Sequence, residues 1–289
     1  MGLDTPPTPP VSSEFMDAPL GRLVVFLATS LVGMALILTR LPEIASPLEG
    51  RTCIQGGWKL GLIVAHTATF VLIPVAMRVF QRSLTALGQP PTAIFASLLG
   101  LSFVMVSIAS EIGWHVTQCW YYQDQFSMLN FMFYFFLLSA FALWGDGLQT
   151  SNSWLDRVLG PYLNLFFAAC LVGISFLYLH GNEVADPGYK VPIYITLTLI
   201  FAVLTYRAYN LLKTPLVLLF PLFSVGVNLS FVFLLQRYGG DPYADPNVPA
   251  NAIFHILHDV AGTEAGVAIF TWLVYRQGKL SLEGQLLQK

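Results

Sequence analysis

Three of the chain's five histidines stand in two short stretches. His115 lies in "SEIGWHVTQCWYYQD", and His255 and His258 lie in "NAIFHILHDVAGTEAG". Glu111 and His115 are four residues apart, which puts them on one face of a helix; the same spacing joins Asn251 to His255 and His255 to Asp259. His255 and His258, three apart, also share a face. Two imidazoles on one helix and a third on another are what a bundle needs to hold zinc. In that arrangement His115, His255 and His258 are the metal ligands. Asp259 holds a ring N–H from behind, and Glu111 orients or deprotonates a metal-bound water. The plainer alternative for the same residues is a buried hydrogen-bonded network that fixes helix packing.

The elements that must position these groups are membrane helices. Of 289 residues, 55% are hydrophobic and only 10% charged, too few charges to cover a soluble domain. Long apolar runs recur along the chain, which reads as an all-α polytopic bundle of about eight transmembrane helices. They are expected at 20–38, 58–80, 92–117, 126–144, 154–180, 191–207, 215–236 and 250–275. Turn-forming stretches such as "LGQPP", "GNEVADPG" and "RYGGDPYADPNVP" separate them. Residues 1–19, with "TPPTPP", read as a disordered tail, 20–276 as one bundle and 277–289 as a short cytosolic tail. The net charge of −2 comes with no basic stripe, so no nucleic-acid partner is expected. Membrane lipids are the expected surroundings.

With eight spans both termini share a side, and nine of the 14 basic residues fall on it, which favours cytosolic termini. Glu111 and His115 then sit near the outer end of the third span, where the last span begins. His255, His258 and Asp259 are expected at that depth, within about 10 Å of the boundary. His66, on the second span, reads as a packed or pore-facing histidine, and His180 as interfacial. Glu264 falls inside the last span, where a charge is expensive, so it is expected to face the interior beside a polar neighbour. Cys53 and Cys119 fall in connections on one side; if that side is oxidising a disulfide would tie the first span to the third, and the alternative is two unpaired thiols.

Two of these stretches resemble the CREST superfamily, which includes alkaline ceramidases, adiponectin and progestin receptors and Per1-like proteins. "EIGWH" resembles its Ser-x-x-x-His, with Glu111 in place of the Ser, and "HVTQCWYYQDQFSML" resembles the run that follows, with Asp124 nearest to the family Asp. "NAIFHIL" resembles the His-x-x-x-His of the last helix, with Asn251 in the first position and His255 in the second. The resemblance implies a seven-helix core with an added N-terminal helix. It also implies a zinc-dependent hydrolase of a lipid amide or ester, ceramidase-like, with Glu111 or Asp124 as the base.

Two other classes stand beside that one. A non-catalytic multi-pass receptor or scaffold would keep the helices while a degenerate metal site no longer turns over substrate, and Asn251 favours it. A haem-binding electron carrier would use paired histidines on facing helices as axial ligands. Against it, His255 and His258 point much the same way, and no second pair stands at the other depth.

Overall fold

A computed structural model describes residues 56–117, 128–150, 153–180, 190–219, 222, 260–261 and 263–286 of the chain. The described residues are helical throughout: α1 (Gly56–Ala86), α2 (Pro91–Thr117), α3 (Met128–Gly147), α4 (Trp154–Val158), α5 (Gly160–His180), α6 (Lys190–Leu212) and α7 (Ala265–Leu286), with a 3₁₀ turn at Pro215–Leu218. The first expected span, 20–38, and both Cys53 and Cys119 lie outside them. Cys170, in α5, is a free thiol.

Local chemistry sets the breaks. After α1 the chain turns at Gly88, whose φ of 74° suits a residue without Cβ, and Pro91 then opens α2 at a position that needs no N–H. The span expected over 154–180 is interrupted at Leu159. Pro161 has no N–H to donate to the carbonyl four residues back, so the ladder of α4 stops and the chain starts α5 afresh. Ser153 caps α4, its hydroxyl accepting from the Asp156 N–H at 3.2 Å. Thr214 caps the 3₁₀ turn in the same way. The last helix continues through Leu286, into the segment expected as a tail.

α3 is the central helix, buried almost all round from Phe131 to Leu148, with α2, α5 and α6 packed against it. α2 and α3 run antiparallel. Gly147 lies against Ala93 at one end, and at the other the Ser107 hydroxyl donates to the Phe133 carbonyl at 2.7 Å. A Cβ on Gly147 would stand 2.6 Å from the Ala93 carbonyl oxygen and would strike Ser97 Oγ, so the absence of a side chain is what lets these backbones approach. α7 runs parallel to α1: Gly278 lies against Ser83, and the Ser281 hydroxyl donates to the Ala86 carbonyl at 3.0 Å. α6 runs parallel to α3, with Phe141 and Phe201 in edge contact at 4.9 Å. Among the described helices, α1, α3, α6 and α7 share one direction and α2 runs opposite to it.

Phe80, Trp144 and Phe270 meet inside the bundle with ring centroids 5.5–5.9 Å apart, joining α1, α3 and α7. Lys59–Ala86, Pro91–Val116 and Ile195–Leu212 are long and apolar enough to cross a membrane. Their outward residues, such as Val64, Leu72, Phe95 and Ile195, are large, apolar and exposed, as lipid contact requires. The protein is an all-α polytopic membrane bundle.

Candidate functional site

Three elements meet where α1 begins and α2 ends. α1 brings His66, α2 brings Glu111 and His115, and the turn leading into α7 brings Glu264. All four are buried, with 3% or less of each exposed. Val260, Ala261, Thr263 and Glu264 lie in π-helical conformation, a wide turn of the kind that often marks functional positions.

The four side chains are in direct contact. His66 Nδ1 and Glu264 Oε1 are hydrogen-bonded at 2.5 Å, and the Thr69 hydroxyl donates to Glu264 Oε2 at 2.5 Å. The His66 and His115 rings stack face to face, centroids 5.3 Å apart and planes 14° from parallel. His115 Nε2 lies 3.4 Å from Glu111 Oε1, and the Trp114 ring packs 5.0 Å from the His115 ring. Hydrogen bonds to a carboxylate are stronger than neutral ones, and in an apolar bundle they hold their partners in one geometry. His66, Glu111 and His115 also offer one ligand atom each within 4.8 Å of one another, the geometric requirement for holding a cation.

Glu111 and His115 share the α2 face that their spacing indicated. Glu264 faces the interior beside polar neighbours, as the cost of a charge in lipid requires. Asp124, Asn251, His255, His258 and Asp259 lie outside the described residues, and the described residue of the last helix that reaches the His115 level is Glu264. The member that sequence reasoning left aside is His66. Its place on the second span, at the same end of the bundle as His115, was the available signal; which face meets α2 is a matter of packing that one helix alone does not reveal.

A second polar network stands at the opposite end. Arg207 of α6 donates through Nε to Asp156 Oδ1 of α4 at 2.6 Å, with 1% and 6% of the two side chains exposed. Beside it, Asn164 and Gln149 both donate to Asp146 Oδ1, the former at 3.0 Å. Ala93, level with this end through Gly147, precedes Glu111 by 18 residues, so the two polar layers are separated by about 27 Å of helix. That is close to the thickness of a bilayer's hydrocarbon core.

Apolar helices with ionisable groups gathered into two buried layers define an integral, multi-pass helical membrane protein. The model of a family described as seven transmembrane receptor matches residues 58–280, which is 223 of the 289 residues, and the chain belongs to that family. Seven of the eight expected spans fall inside the matched segment, and 20–38 falls before it. No curated protein and no solved structure matches the chain. The match overturns the resemblance to the CREST superfamily, and with it the CREST-like core. That resemblance rested on two short stretches in which Glu111 and Asn251 already departed from the pattern, and histidines four residues from a polar partner recur wherever a helix buries an ionisable pair.

Proposed function

We propose that the protein is a non-catalytic receptor. In this reading the His66–Glu111–His115–Glu264 layer registers an input near one face of the membrane, and the helices carry the response to the Arg207–Asp156 layer at the other. The observation that carries it is the match to a seven-transmembrane receptor family over 58–280. The arrangement of the bundle supports it: the input layer joins the starts of α1 and α7 to the end of α2, so a change there bears on three helices that cross the molecule. In this reading the termini are cytosolic, as the bias of basic residues favours, and the Arg207 layer then faces the cytosol.

The hydrolase reading takes Glu111 or Asp124 as the base beside His115, His255 and His258, and the lipid amide or ester substrate came from the resemblance now set aside. Among the described residues, His66 and His115 stack face to face and leave no slot for a macrocycle between them, which lends no support to a haem carrier. Membrane lipids are the proposed surroundings and not substrates. The test is turnover: protein in lipid nanodiscs is incubated with ceramides and other lipid amides and esters, beside a Glu111→Gln control. The receptor reading expects no hydrolysis above that control. Turnover of any member of the panel that disappears in Glu111→Gln overturns it.

A further inference from the structure

We propose that His66, Glu111 and His115 form a binding site for a divalent transition-metal ion of the zinc type, with Glu264 as the carboxylate that orients the His66 ring. The inference concerns the chemistry of the buried layer and does not depend on whether the protein signals.

Distance is the first argument. Donors held about 2.0–2.1 Å from a tetrahedral zinc lie about 3.4 Å from one another. His115 Nε2 and Glu111 Oε1 are 3.4 Å apart, longer than a well-made hydrogen bond and matched to that tetrahedral edge. One ligand atom from each of His66, Glu111 and His115 lies within 4.8 Å of the other two, so side-chain adjustments of about 1 Å would bring the set to that edge length.

The surroundings of His66 are the second argument. A metal-bound histidine usually donates its other ring N–H to a carboxylate, which fixes tautomer and orientation. His66 Nδ1 lies 2.5 Å from Glu264 Oε1, and Glu264 is itself held through Oε2 by the Thr69 hydroxyl. With Nδ1 engaged as donor, Nε2 is the coordinating atom. Thr69, Glu264 and His66 thus form a relay from α1 through the entry to α7 and back to the site.

Charge is the third. Glu111 and Glu264 are both buried in an apolar bundle, where two ionised carboxylates are costly. A dication with neutral imidazoles balances them. The donor set also selects among cations, since two imidazoles and a carboxylate suit zinc, cobalt or nickel rather than magnesium or calcium.

Full-length protein, purified in the presence of a chelator and then dialysed, is titrated with Zn²⁺ and, as a spectroscopic probe, Co²⁺. The expected result is saturable uptake of one ion per chain and a visible cobalt spectrum of low coordination number. His66→Ala and His115→Ala abolish it, Glu264→Gln weakens binding roughly 10- to 100-fold, and Asp146→Asn in the distant layer leaves it intact. His115→Cys guards against mere misfolding, because a thiolate in the coordination sphere adds a thiolate-to-cobalt charge-transfer band to folded protein. No saturable uptake by folded wild type at millimolar metal overturns the proposal. So does uptake that survives both histidine substitutions.

Discussion

Arg207→Met tests the lower polar layer and the packing that buries it. Arg207 is 1% exposed, its Nε donates to Asp156 at 2.6 Å, and the Thr150 N–H also faces Asp156 Oδ2 at 3.4 Å. Removing the guanidinium leaves a buried carboxylate without its counter-charge, which costs about 3–5 kcal/mol when a buried pair is broken from one side. An exposed pair would cost only about 0–1 kcal/mol, so the measurement separates the two environments. For a chain of this size the larger loss corresponds to a fall in unfolding temperature of roughly 6–20 °C. The assay is thermal unfolding in a mild detergent for Arg207→Met, Asp156→Leu and the double variant. Each single substitution should destabilise strongly, and the double variant should recover much of the loss, because two apolar side chains of similar size replace the pair. Single losses below about 1 kcal/mol that simply add in the double variant would refute the claim that this pair is buried and coupled.

Other expectations follow from the same geometry. Gly147→Ala forces a methyl against the Ala93 carbonyl and Ser97 and should cost about 1–3 kcal/mol, whereas Gly173→Ala in α5, which meets nothing within 4 Å, should be neutral or slightly stabilising by the same unfolding assay. Glu264→Ala removes the hydrogen bonds to His66 and Thr69; interhelical bonds in membranes average near 0.6 kcal/mol and reach about 1.7, so the loss should be about 1–3 kcal/mol by the same assay. If zinc occupies the upper layer, unfolding temperature should rise with zinc concentration in wild type and stay flat in His115→Ala, read by thermal scans at increasing metal.

Much of the bundle was legible because lipid imposes length and apolarity on every crossing. Residues 58–80, 92–117, 126–144 and 191–207 all fall within helices or overlap them closely. The break at Leu159 was less visible, since the apolar run continues through it and only Pro161 signals the restart. Spacing of four residues revealed that Glu111 and His115 lie side by side, because that relation is internal to one helix. The contacts of His66 with His115 and of Glu264 with His66 join residues 49 and 198 positions apart, and these depend on how α1 turns toward α2 and α7. Burial of a charge revealed that Glu264 needs a partner; only packing revealed which one. The short motif likeness misled for a related reason, as a buried ionisable pair on a helix repeats the same spacing without sharing a fold.

The central claim is that the upper polar layer is coupled to the far end of the bundle. From Glu264, at that layer in the turn leading into α7, the chain runs along α7 to Ser281, which is hydrogen-bonded to the end of α1 about 25 Å further along the axis. The most direct measurement is a pulsed spin-label distance between exposed positions at the far end, Tyr209→Cys on α6 and Leu280→Cys on α7, in a background with the three native cysteines replaced by serine. Distances are recorded for the otherwise unaltered layer, with and without zinc, and for Glu264→Gln. The account predicts that the distance distribution redistributes between two populations when the layer is altered. Distributions that coincide in all three samples, with the protein folded in each, would contradict it.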